Sequence, residues 1–150
     1  LRAGQDLQLG PLTVHACVGK HPGGHITFVL EANGESLFFG GDTAWHPDLP
    51  ALGEQFPDLD VALLPVSGSK MLFGQWQVHL DAQQATRVAV ALAPRVAIPI
   101  HYHFELRRLP RFMTRPYEVG HTADLFLDVM ADRAPAIETR KLEVGETWES

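Results

Sequence analysis

Three side chains in this chain have the chemistry and the placing to hold a metal: His21, Asp42 and His101 each fall where an apolar run gives way to a loop. Imidazole and carboxylate suit a borderline metal such as zinc, and three such ligands leave a position for water. Water held in that way becomes a nucleophile near neutral pH. Asp42 follows Phe38-Phe39-Gly40-Gly41, where two glycines let the backbone turn at a strand end, a usual place for ligand-holding residues. A lone Gly-Gly-Asp is most often an ordinary turn, and eight histidines would put some at strand ends by chance. The metal reading therefore depends on whether the fold brings the three together.

The elements that must position them are legible in order. Residues 12–18 alternate in the manner of a strand, 19–24 form a turn-rich loop carrying His21, and 25–31 are again strand-like. Asn33-Gly34 is a hairpin pair, so 37–40 return antiparallel, and the first and third of these runs point the same way. A short helix is compatible with 47–56, Pro50 being tolerated only in its first turn. Residues 60–66 and 95–100 are near-continuous apolar runs of the kind covered on both faces. Between them, Asp81-Ala82-Gln83-Gln84 reads as a capping box opening a helix to about Ala93, with Ala85, Val88, Ala89 and Leu92 on one narrow face. Strand, helix and strand predict a right-handed parallel crossover, which gives the four principal strands one direction. His21, Asp42, the Ser67-Gly68 loop and His101 then share the carboxyl edge of one sheet. A further helix is expected at 122–132 and a last strand at 137–143.

The bulk properties fit one α/β domain over residues 1–150: 16.6 kDa, 45% hydrophobic and 20% charged residues are ordinary for a packed core. A formal net charge of -6 gives no support to a nucleic-acid or anionic-membrane partner. One cysteine, Cys17, excludes an internal disulfide and fits a reducing compartment, so the cytoplasm is the expected location. No apolar stretch approaches the ~20 residues of a membrane span. The chain opens on Leu1, which leaves room for a start of the gene product further upstream.

Five stretches in order, His21, Phe-Phe-Gly-Gly-Asp42-Thr43, Asp60-Val-Ala-Leu-Leu-Pro, Val78-His79-Leu80-Asp81-Ala82-Gln83-Gln84-Ala85 and Ile98-Pro99-Ile100-His101-Tyr102, resemble the C-terminal half of a metallo-β-lactamase superfamily hydrolase. The likeness is nearest the branch of ascorbate-6-phosphate lactonase and N-acyl-phosphatidylethanolamine phospholipase D, and covers most of residues 12–105. It implies half of a four-layer αββα fold, a mixed sheet with helices on one face, and a dinuclear site that is zinc-type, with manganese or iron as other occupants. On this resemblance His21 is a ligand of the first metal, Asp42 bridges the two, and His101 is a ligand of the second. His79 matches a histidine beside the metals that contacts substrate or the developing oxyanion. The family's His-x-His-x-Asp-His motif belongs to the N-terminal half and is absent here, so the domain is expected to be partial.

Other residues carry weaker signals. The loop 67–78 holds Lys70, Phe73 and Trp76, which fits either a pocket wall with Lys70 meeting an anionic group or a plug beneath the following helix. Trp45 and His46 offer an opposite wall. His103 reads as a solvent-facing rim residue, or as one that approaches a metal if the strand continues, His15 as a structural one, and His25, His46 and His121 give no specific signal. The function expected is a metal-dependent hydrolase that uses a metal-activated hydroxide on a phosphoester, lactone or amide within a small-molecule or lipid-like substrate. The alternative is a non-catalytic binding or assembly domain that keeps the fold without a complete site. An unpaired apolar sheet face also makes a homo-oligomer the expected state of the isolated chain.

Overall fold

The computed structural model describes residues 1–71, 76–102 and 123–149. His103, His121, Leu72, Phe73 and the expected first residue of the last helix, Thr122, lie outside them. The strands are β1 (Gln5–Leu9), β2 (Leu12–Val18), β3 (Ile26–Ala32), β4 (Glu35–Phe39), β5 (Val61–Pro65), β6 (Lys70–Met71), β7 (Trp76–Gln77), β8 (Val96–Ile100) and β9 (Glu138–Thr139). Among the described residues the helices are α1 (Leu52–Gln55), α2 (Ala82–Leu92) and α3 (Ala123–Arg133). Seven strands form one mixed sheet in the order β1-β2-β3-β4-β5-β8-β9, and β6 pairs with β7 in a small ribbon. Strands β1 to β4 are an antiparallel meander, while β4, β5, β8 and β9 run parallel. As expected, β2, β4, β5 and β8 therefore share one direction.

Local chemistry explains most of this. The β3–β4 hairpin turns through Asn33 and Gly34, whose φ angles of 54° and 83° are those a two-residue turn of this twist needs. The expected capping box is present: the Asp81 carboxylate accepts the Gln84 amide at 2.8 Å and the Gln84 side chain takes the Asp81 amide at 3.2 Å. Ala85, Val88, Ala89 and Leu92 are all buried, and α1 crosses so close to α2 that a Cβ on Gly53 would lie 1.9 Å from the Ala91 carbonyl oxygen.

Two expectations need correction in extent. The 47–56 segment is helical only over α1, preceded by turns, and the 137–143 strand pairs only over Glu138 and Thr139. The carbonyls of Arg95 and Ala97 serve β9, so Pro99, two residues further along the same side of β8, has no N–H to extend the ladder.

The helices lie on one face of the sheet. Cys17, Val29, Phe38, Ala62, Leu64 and Ala97 point into it and meet Leu52, α2, Phe126 and Met130. Among the described residues the opposite face is covered only in part: Leu142 and Trp148 pack over Val61, Val96 and Ile98, while Leu7, Leu9 and Phe39 are exposed.

Candidate metal centre

Each member of the site comes from a different loop at the carboxyl edge of the parallel strands. His21 lies in the β2–β3 loop, Asp42 just beyond β4, Ser67 beyond β5, His79 before α2, and His101 at the end of β8. The Gly40-Gly41 pair is required by space as well as turn geometry. A Cβ on Gly40 would sit 2.9 Å from both the Leu63 carbonyl oxygen and the Pro65 ring, and one on Gly41, at φ 53°, would sit 3.0 Å from His25 Nε2. His101 itself adopts φ 54°, a left-handed conformation that costs a non-glycine residue about 1 kcal/mol or more. That turn aims its ring back at the sheet edge.

The result is a row of imidazoles along one carboxylate. His101 Nε2 lies 2.8 Å from Asp42 Oδ1, and His79 Nε2 lies 3.8 Å from the same oxygen. The His79 ring is 5.0 Å from that of His101 and 6.1 Å, stacked, from that of His21. Donor atoms of His21, Asp42 and His79 lie within 4.8 Å of one another. That compact trio contains His79 because it is the middle of the row; His101, at the end, makes the shorter contact with Asp42. Burial pushes the His79 imidazole down to about 4, the neighbouring His101 adds to this, Asp42 opposes it, and His21 and His25 lower it further. His79 is therefore neutral at physiological pH.

The residues fit a divalent cation. Their donor set is imidazole and carboxylate, the set that zinc, iron and manganese accept. At the same rim His25 Nε2 is buried with no hydrogen-bond partner among the described residues, and its ring lies 6.0 Å from that of His21. An orphaned buried nitrogen beside such a cluster is a second mark of a polar occupant. Nothing in the local sequence pattern singled out His25; its place after Gly23-Gly24 at the mouth of β3 is the only signal.

The roles of two rim residues, Thr43 and Ser67, were not legible in the spacing. Thr43, fully buried, accepts the Lys20 amide on Oγ1 at 2.9 Å and the Leu80 amide on its carbonyl at 2.9 Å, and the Ala44 amide donates to the Lys20 carbonyl. It fastens the His21, Asp42 and His79 loops together. Ser67 binds His79 Nδ1 at 2.7 Å. Beside the row lies a cleft of about 530 Å³ lined by Lys20, His21, Trp45, Trp76, Gln77 and Gln84. Trp76 and Trp45 thus form walls, while Lys70, exposed on β6, is not among the lining residues and Lys20 is. A hollow of similar size on the far face of the sheet, lined by Leu30, Leu37, Leu63 and Trp148, is remote from the histidines.

A mixed sheet with helices on one face and a histidine–aspartate row at its carboxyl edge defines a metallo-β-lactamase fold. Residues 2–102 match the beta-lactamase superfamily domain, and the chain belongs to that family. A UPF0173 metal-dependent hydrolase of Deinococcus radiodurans is 32% identical over 131 residues, covering 87% of this chain and 48% of the relative. One from Alkaliphilus metalliredigens is 36% identical over 85 residues, 57% of this chain and 32% of the relative. The structure of Igni18, a metallo hydrolase of the archaeon Ignicoccus hospitalis, superposes with a TM-score of 0.74 at 22% identity, over 99% of this chain and 58% of that one. The chain thus spans about a third to a half of the length of these two curated relatives.

Proposed function

We propose that this chain carries the C-terminal part of the metal site of a dinuclear hydrolase acting on a phosphoester, lactone or amide. The observation that supports it most is the convergence of His21, His79 and His101, from three other loops, onto the Asp42 carboxylate. His21, Asp42 and His101 are assigned as ligands, and the family resemblance gives Asp42 the place shared by both cations. Zinc is the favoured cation, with manganese and iron accepting the same donors. When bound, such a cation supplies Lewis acidity and acidifies a coordinated water.

The other residues act around it. His79, buried and neutral, faces the reacting group as a hydrogen-bond partner for the charge that develops there. Lys20 and the Trp45–Trp76 walls accept a small-molecule or lipid-like substrate with an anionic part. The single cysteine agrees with action in the cytoplasm. Among the described residues no helix is long and apolar enough to cross a membrane.

Asp42→Asn tests the assignment in the full-length gene product. An amide is a poor bridge between cations, so metal content and hydrolysis should fall together, metal affinity by at least the ~10–100-fold typical of losing an outer-shell partner. Unchanged metal stoichiometry in that variant would remove Asp42 from the site. A full-length product that binds no metal at all would favour a binding or assembly domain instead.

A further inference from the structure

Behind His79 the structure places a short chain of hydroxyls. Ser67 Oγ lies 2.7 Å from His79 Nδ1 and 2.8 Å from Ser69 Oγ, and the Ser69 amide donates to Ser67 Oγ at 3.3 Å. Both serines are buried. The backbone holds them opposite His79: the Gly68 amide donates to the Leu80 carbonyl at 2.8 Å, the Val78 amide to the Ser69 carbonyl at 2.9 Å, and Ser67 pairs with Asp81 in an isolated antiparallel bridge.

Counting hydrogens fixes the direction of this chain. A serine hydroxyl has one hydrogen to give and two lone pairs to receive. If Ser69 Oγ donates to Ser67 Oγ, the Ser69 hydroxyl and amide fill both lone pairs of Ser67, whose own hydrogen goes to His79 Nδ1. Every hydrogen as far as His79 Nδ1 then has an acceptor, and the remaining one, on Nε2, faces the Asp42 carboxylate 3.8 Å away. In the reverse direction His79 Nδ1–H donates to Ser67 and Ser67 to Ser69, and the Ser69 hydroxyl hydrogen has no acceptor among the described residues. A buried donor left unpaired costs its full desolvation, so the first direction wins.

We infer that Ser67 and Ser69 are positioning residues that hold His79 as the tautomer protonated on Nε2, the nitrogen facing Asp42. His79 then presents a hydrogen-bond donor to the reacting group and has no free Nε2 lone pair for a metal. The donor role rests on the hydrolase reading above; the tautomer does not. This separates His79 from His21 and His101 although all three crowd the same carboxylate.

The test is nitrogen-15 NMR of the histidine side chains in the metal-free 150-residue chain near neutral pH, repeated after adding zinc ions alone. The expected spectrum shows His79 with an unprotonated Nδ1 and a protonated Nε2, both unchanged by zinc while His21 and His101 shift. Ser67→Ala should release the ring into exchange between tautomers, and Ser67→Thr, which keeps the hydroxyl, should restore the single form. A protonated Nδ1 in the unsubstituted chain, loss of the Nε2 proton on adding zinc, or an unchanged spectrum in Ser67→Ala would each overturn the inference. Should Ser67→Ala fail to fold, the spectrum of the unsubstituted chain still decides the tautomer. Zinc that perturbs no histidine would count against the hydrolase reading and leave the tautomer result standing.

Discussion

Thr43 Oγ1 accepts the backbone amide of Lys20 at 2.9 Å, which ties the loop that carries His21 to the loop that carries Asp42. The same hydroxyl donates to the Ala44 carbonyl at 2.9 Å, so both of its roles are taken within the rim. Thr43→Val keeps the shape and removes the hydroxyl, leaving the Lys20 amide and the Ala44 carbonyl unpaired. A loss of about 1–3 kcal/mol in urea denaturation is expected, with weaker zinc binding, and Thr43→Ser should recover most of both. Undiminished zinc affinity in Thr43→Val would show that the loops do not depend on this clasp.

His79→Ala separates a donor from a ligand. On the proposed function, the full-length gene product should keep its metal while kcat falls roughly ten- to a thousand-fold, the range of a lost acid or oxyanion donor. Metal lost in proportion to activity would instead place His79 among the ligands, as its closeness to His21 and Asp42 allows.

Two histidines should tilt stability with pH in opposite senses. Partial burial works against a charge on His15, but hydrogen bonds and charges from Glu31 and Asp6 outweigh it and hold its pKa above the ordinary 6.5. Its contribution is complete below 6.5 and is lost as pH rises through the higher folded value. His79, lowered from 6.5 to about 4, does the reverse: the folded state resists a proton that the unfolded chain accepts, so stability drops as pH falls across that interval. For the metal-free chain this amounts to at most ~3 kcal/mol. In denaturation curves from pH 4 to 8, His15→Gln should flatten the alkaline decline and His79→Ala the acid one. Profiles parallel to the parent's would contradict both.

Much of this was legible in the sequence because strand direction follows from the pattern alone. The Asn33-Gly34 turn, the capping box at Asp81 and the apolar runs of β5 and β8 fix four strand directions, and these bring His21, Asp42 and His101 to one edge. What stayed hidden depends on contacts that no spacing encodes. β1 was missed because it is exposed along its whole length, so neither burial nor a strong alternation marks it. The Lys70–Gln77 pairing of β6 and β7 lay inside a stretch read as loop. The Ser67-Gly68 loop was expected at the rim, but the contact of Ser67 with His79 and the place of His25 depend on close approach at Leu80 and at Gly41, which appears only in three dimensions.

The outer face of the sheet carries the last prediction. Leu9 is 53% and Phe39 38% exposed, and together with Leu7 they leave an apolar surface beside the part that Trp148 covers. The isolated chain should therefore self-associate, and Leu9→Lys with Phe39→Lys should shift it toward monomer in sedimentation experiments without lowering zinc affinity. A parent chain that sediments as a monomer at high concentration would show that this face needs no cover.

The parallel pairing of β4, β5 and β8 has a consequence for the order of events in folding. Antiparallel hairpins such as β3–β4 close over two residues, but each parallel pairing must wait for a long crossover to be gathered in, which is the slow step in chains of this topology. The rim exists only after both crossovers are complete, since Asp42 opens the first, His79 lies within the second and His101 follows it. A cation held at this rim would therefore bind late, once the sheet is complete.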